Sequence, residues 1–160
     1  MMIDTDMTSD FLVYNCLKSS DDEFIKKCNV KFIDKSVPAT EDNTIYVANV
    51  DLETHKETFD NSEYRALVNV YVKTKDTDYV TGSRFLRTVV KHIKHVLRED
   101  KDCKGRHITF RNITYEYGSG YTLKGLHLII QLLEVESKSL EDEFSCINNV
   151  NADNIDVKVE

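Results

Sequence analysis

The stretch YEYGSGYTLKGLHLIIQLLEVE, residues 115–136, concentrates residue types that could hold a phosphate. Gly118, Gly120 and Gly125 are three of the chain's five glycines, and Lys124 adjoins the last of them. A phosphate loop requires a helix after the glycines, because free N–H groups at the helix start bind the anion. The segment that follows has the Leu and Ile content of a strand instead, so we predict the turn of a β-hairpin. Tyr115, Tyr117 and Tyr121 around its tip make it a candidate contact surface.

Two histidines, His92 and His95, lie three residues apart within a predicted helix, a spacing that could share a metal ion. A third ligand is needed, and no acid lies between Gly82 and Arg98 to provide it. The remaining histidines could join them only through folding, and they are His55, His107 and His127. We predict histidines at the surface or boundary of the helix.

The cysteines are scattered and form no C-x-x-C pair; they are Cys16, Cys28, Cys103 and Cys146. We predict free reduced thiols, although basic residues near Cys103 could lower the pKa of a loop thiol. The acidic runs 21–23 and 141–143 match no calcium loop and are typical of solvated connections. We therefore predict no catalytic, cofactor-binding or metal site, and no enzyme.

The long predicted helix has an apolar stripe along one side, and a series of positive charges lies at helical spacing on the opposite side. We name these residues the basic stripe: Arg84, Arg87, Lys91, Lys94 and Arg98. Like charges at this spacing repel one another. Three interpretations stay open: a solvated helix face, a contact with another subunit, or a contact with nucleic acid.

The charge balance favours self-association over general nucleic-acid binding. The chain of 160 residues has a net charge of −7 and is acidic near both ends. Such a protein repels phosphate, whereas its uneven charge suits contact between oppositely charged faces. No apolar run is long enough to span a membrane, and the acidic start lacks the features of a signal peptide. We expect folding in the cytoplasm.

Hydrophobic periodicity predicts the elements. Residues 9–20 predict a short helix capped by Ser9 or Asp10, and residues 29–34 and 43–51 predict strands, the first ending before Pro38. The polar stretch 52–63 predicts a loop or hairpin tip. Residues 63–75 alternate with period two and predict a strand, whereas residues 81–100 predict a long helix capped by Thr81 or Ser83.

The order of elements predicts an α+β fold. We expect an antiparallel-rich sheet with a short N-terminal helix and one long helix packed on it, and a long C-terminal β-hairpin. The last strand, residues 123–136, is apolar on both faces and is predicted to be covered on both. We assign residues 1–137 to one domain. Residues 138–160 form an acidic extension that would be an edge strand or a partner-binding arm.

This pattern resembles the tail terminator and neck (tail-completion) proteins of tailed bacteriophages. The resemblance covers about residues 8–136 and is carried by VKFIDKSVP, YRALVNVYVKTKDTD, GSRFLRTVVKHIKHVL and LHLIIQLLEVE in that order. It concerns the order of elements, because no diagnostic motif is present.

The resemblance implies a structural virion protein, assembled in the host cytoplasm, that forms a ring on the tail tube. The implied partners are further copies in a ring, commonly a hexamer, the tail tube protein, and neck or connector proteins, with DNA passing through the lumen without sequence-specific binding. No cofactor and no membrane are implied. The basic stripe is our own candidate for the subunit contact. Our candidates for contacts to tube or neck are Leu52–Asn61 and the hairpin tip with Tyr117, Gly118, Gly120, Tyr121 and Lys124.

Three alternatives stay open at this point. A head-side neck protein of the same assembly fits equally well. A small nucleic-acid-binding protein would use the basic stripe. A small enzyme would use the histidines or Cys103, for which the spacing offers no support.

Overall fold

A computed structural model of the chain describes residues 7–32, 43–76 and 78–139, which form one mixed sheet with helices on one face. The elements in chain order are α1 (Ser9–Lys18), α2 (Glu23–Lys26), β1 (Asn29–Phe32), β2 (Thr44–Glu57), β3 (Asn61–Lys73), α3 (Tyr79–Glu99), α4 (Lys101–Gly105), β4 (Thr109–Tyr117) and β5 (Leu123–Ser137). The predicted α+β class is confirmed. Pro38 and residues 140–160, which include most of the acidic extension, lie outside the described residues.

The strand order in the sheet is β1-β2-β3-β5-β4. β1 runs parallel to β2, and the other neighbours are antiparallel. Within the described residues β1 lies at one edge of the sheet, and the other edge strand, β4, pairs with β5 through two register shifts, at Phe110/Asn112 and Glu116/Tyr117. The predicted C-terminal hairpin is the pair β4 and β5.

The core lies on one face of the sheet, where alternate residues of the central strands meet the helices. Val68, Val70 and Val72 of β3 are fully buried and stand opposite Ile130, Leu128 and Leu126 of β5. The period-two alternation predicted for β3 is therefore confirmed, because every second side chain points to the helices.

The helix α3 packs on this face with the predicted apolar stripe. Leu86, Val89, Ile93 and Leu97 have no solvent exposure. The predicted cap at Thr81 or Ser83 is wrong, because the helix begins at Tyr79. Its cap is Asp78, whose Oδ2 accepts a hydrogen bond of 2.9 Å from the N–H of Thr81.

The helix α1 is held to the sheet by a buried arginine. Arg106 is 5% exposed, and its guanidinium donates to Ser9 Oγ at 3.1 Å and to the carbonyl of Met7 at 2.6 Å. The N–H of Ser9 donates to Glu134 of β5 at 3.0 Å. The predicted cap at Ser9 or Asp10 is wrong, because Thr8 occupies the N-cap position. A guanidinium whose donors are paired is tolerated in the interior.

Two expectations about the strands need correction. The stretch 52–63, predicted as a loop or hairpin tip, does contain a hairpin tip at 58–60, but residues 52–57 are the end of β2, which pairs with β3 until Glu57, and residues 61–63 begin β3. Residues 52–57 are exposed. The expected cover on both faces of β5 is also wrong, since Val135 on the reverse face is 48% exposed.

Truncation of the α3 stripe should measure how much the core depends on it. We expect Leu86→Ala to lower the free energy of unfolding by about 2–5 kcal/mol, because it leaves a cavity in a fully buried site. Val80→Ala, at a position 63% exposed, is the control and should change it by less than about 0.5 kcal/mol. Urea denaturation of both variants checks the difference, and equal losses would contradict this account of the core.

Gly125 should be required for packing rather than for a turn. A Cβ added there would clash with the backbone carbonyl oxygen of Val72, which cannot move without disturbing the pair β3 and β5. At Gly118 the added atom meets only the flexible side chain of Lys124. We expect Gly125→Ala to cost about 1–3 kcal/mol of stability, by overpacking, and Gly118→Ala to cost less. Thermal unfolding of both variants would test the order, and the reverse order would refute it.

Candidate functional site

The basic stripe flanks the sheet rather than facing away from it. Arg87, Lys91, Lys94 and Arg98 line one wall of a groove between α3 and β4. The sequence predicted that these four residues lie on the side of α3 opposite its apolar stripe. This prediction is wrong, because they lie beside the sheet. Arg84 is exposed one turn earlier and lines a neighbouring cavity with Tyr79 and Val80.

The floor of the groove is apolar, and it is partly exposed because none of the described helices covers this edge of the sheet. Ile113 and Tyr115 of β4 lie there beside Leu126 and Val90, and Ile113 is 46% exposed. The groove has a volume of about 440 Å³, and no acidic side chain is among the described residues that line it. The sequence showed the cations but not the floor, because the position of β4 at the edge depends on strand order.

The basic stripe divides into two parts. Lys94 and Arg98 lie over the ring of Phe110 at 5.6 and 4.9 Å, so part of their role lies within the fold. Arg87 and Lys91 are exposed on the same wall. They are the better candidates for contact with a second molecule.

The predicted glycine turn joins β4 to β5 and projects from one end of the sheet. Gly120 and Tyr121 have φ values of 67° and 60°, and the N–H of Gly118 donates to the carbonyl of Thr122 at 2.7 Å. This backbone leaves Tyr121 87% and Tyr117 47% exposed. The hairpin prediction is confirmed, and the aromatic side chains do lie at its surface.

A second hairpin tip, between β2 and β3, projects from the opposite end of the sheet. Phe59 is 95% exposed there, in a turn closed by the hydrogen bond of 2.9 Å from Thr58 N–H to the carbonyl of Asn61. The opposite placement follows from the register, in which Asn61 of β3 pairs with Ser137 and Lys73 pairs with Gly125. Exposed aromatic side chains on both tips are suited to protein contacts. The predicted segment Leu52–Asn61 includes this tip.

The reverse face of the sheet carries a polar cluster that sequence reasoning missed. Tyr71 stacks on His127 at 4.4 Å, and a ring nitrogen of His127 lies 2.8 Å from Asn69 Oδ1. Lys73 pairs with Glu116 at 2.6 Å beside them. Burial lowers the pKa of His127, Glu116 opposes this effect and Lys73 adds to it. These residues are brought together only by the pairing of β3, β5 and β4, so a prediction of that register would have been needed to find the cluster.

The histidine pair of α3 does not form a joint site. His92 contacts Asp22 at 2.8 Å and stacks on Phe24, whereas His95 is exposed. The expected solvated role is thus wrong for Asp22, which also caps α2. Burial would raise the pKa of Asp22, but hydrogen bonds from His92 and from the N–H groups of Ile25 and Phe24 lower it overall.

The described cysteines, Cys16, Cys28 and Cys103, are free thiols, as predicted. Cys103 is not in a loop but fully buried in α4, close to Cys16 of α1. The hydrogen bond with Cys16 and burial raise its pKa, so nearby basic residues do not activate it. Among the described residues, the group with metal-ligand geometry is Cys16, Asp100 and Cys103 rather than the histidines.

Within the described ranges no helix is long and apolar enough to cross a membrane.

Comparison with known proteins gives a structural match only. No family model matches the chain, and no curated protein matches it. Among solved structures, a chain of the "Virion of native gene transfer agent (GTA) particle" matches with a TM-score of 0.59 and 8% identity. The match covers 84% of this chain and 100% of that chain. At this identity the likeness establishes a shared fold.

Acidification should destabilise the protein through His127. Its pKa in the folded state lies below the ordinary value of 6.5, so the unfolded chain binds the proton first as the pH falls. The stabilisation that the neutral imidazole contributes to the folded state is complete above pH 6.5. It is lost as the pH falls through the pKa of His127 in the folded state. We expect His127→Gln to reduce the loss of stability between pH 7 and 5. His55→Gln, at an exposed position, is the control, and identical pH profiles would exclude this role.

Proposed function

We propose that this protein is a structural, non-catalytic virion protein that forms a ring on a phage-like tail, as a tail terminator. The observation that carries the proposal is the fold match to a chain of a gene transfer agent virion, all of which is covered. The order of elements that resembles tail terminators supports the same conclusion. In this proposal the protein is located in the tail or neck of the particle after assembly in the host cytoplasm.

The groove between α3 and β4 is the proposed contact between neighbouring copies. Its cationic wall and exposed apolar floor suit a surface that is covered on assembly. A ring requires each copy to contact the next head to tail, with a different surface on each side. The acid-rich parts of the neighbouring chain offer complementary charge.

The two hairpin tips are the proposed contacts to other virion proteins. Phe59 lies at one end of the sheet, and the tip from Tyr117 to Lys124 lies at the other. A connecting ring has to contact the tail tube protein on one side and a neck or connector protein on the other. Tips at opposite ends satisfy this requirement. The acidic chain suits a lumen through which DNA passes without being held.

Two alternatives lead to different observations. A head-side neck protein would form a ring but would not bind the end of the tail tube. A nucleic-acid-binding protein would use the cations and aromatic rings of the groove, and its affinity for DNA would fall steeply with salt.

Native mass and negative-stain images of the purified protein, alone and with tail tubes, test the proposal. We expect a ring of about six copies, free or on the tube end. Arg87→Glu with Lys91→Glu should prevent ring formation without changing the melting temperature, because both side chains are exposed. Lys75→Glu with Lys101→Glu, also exposed and outside the groove, makes the same charge change and should leave the ring intact.

Two results would contradict the proposal. A monomer that does not bind tail tubes would exclude the ring, and salt-sensitive DNA binding by that monomer would favour the nucleic-acid alternative. Equal loss of assembly in both charge-reversal variants would show that net charge matters and the groove does not.

A further inference from the structure

We propose that Cys16, Asp100 and Cys103 form a binding site for a zinc-type divalent cation. The two sulfur atoms and a carboxylate oxygen lie within 4.8 Å of one another. The three residues come from α1, from the junction of α3 and α4, and from α4 itself, so only the folded chain brings them together. This proposal does not depend on the ring.

The local backbone holds two of the three ligands in place. Asp100 ends α3 and caps α4, and its Oδ2 accepts hydrogen bonds from the N–H groups of Asp102 at 3.1 Å and Cys103 at 3.0 Å. The cap fixes the carboxylate beside the first turn of α4, where the side chain of Cys103 begins. A carboxylate has enough lone pairs to accept these bonds and coordinate an ion as well.

The position of Cys16 completes the group from a separate helix. Cys16 is half-buried on α1, whereas Cys103 is fully buried in α4. A surface cavity lined by Cys16, Asp100, His95 and Glu99 opens onto the group. The cavity offers an entry path for the ion, and a water molecule or one of the lining side chains can take a fourth position.

The ligand chemistry selects the metal. Two sulfurs with one carboxylate oxygen suit Zn²⁺ and similar borderline-soft ions, which prefer four ligands, rather than Mg²⁺ or Ca²⁺. On binding, each thiol releases its proton to solvent, so one ion enters and two protons leave without any redox change. The bound ion would join α1 to the corner between α3 and α4, adding to the link that Arg106 makes between Ser9 of α1 and Glu134 of β5.

The test is a zinc titration of the full chain with Cys146→Ser, since Cys146 lies outside the described residues and is a competing thiol. We expect native mass spectrometry to show one zinc ion per chain, and Co²⁺ to give the absorption bands of a thiolate-bound tetrahedral ion. Cys16→Ser should weaken zinc binding at least about tenfold. This variant changes a half-buried position, and circular dichroism confirms that it folds.

Cys28→Ser in the same background is the matched control. Cys28 is also buried, and burial raises the pKa of its thiol to about 11, but it is not part of the group. We expect this variant to bind zinc unchanged. The proposal is overturned if no stoichiometric zinc is bound, if Cys16→Ser binds as well as its parent, or if Cys16 and Cys103 form a disulfide under conditions in which zinc should bind.

Discussion

The packing of α3 on one face of the sheet is the interaction on which the rest of the structure depends. Its apolar stripe buries the alternating side chains of β3 and β5. A helix covers a limited width, so the face of β4 stays open beside it. This limit produces the groove, because the cations at the border of the α3 stripe stand next to uncovered apolar side chains.

Because the helices pack on one face of the sheet, the molecule has a packed centre and two projecting hairpin tips. The hairpin at the end of β2 and β3 is maintained by strand pairing and by Lys138, whose Nζ pairs with Glu57 at 2.8 Å. Arg106 secures α1 at the centre, so the N-terminal helix belongs to the scaffold rather than to the projecting parts. Contacts with partners can therefore change at the tips without disturbing the core.

The elements that could be predicted from the sequence are those that depend on local periodicity and turn chemistry. Alternation in β3, the α3 stripe and the strand after the glycines were all readable, and they gave the correct fold class. Contacts between distant residues were not readable: Arg106 with Ser9, Cys16 with Cys103, and Tyr71 with His127 depend on strand order and helix placement. For the same reason the basic stripe was found in the sequence, but not the groove whose wall it forms.

The edges of the sheet bear on the behaviour of subunits that have not yet assembled. A long, regular edge strand can pair with any other chain and start aggregation. Among the described residues, one edge of the sheet is β1, and the other, β4, is interrupted twice in its register. Such interruptions twist an edge strand away from regular pairing. We therefore expect the β4 edge to resist pairing with other chains, so that association there depends on side-chain surfaces that discriminate between partners.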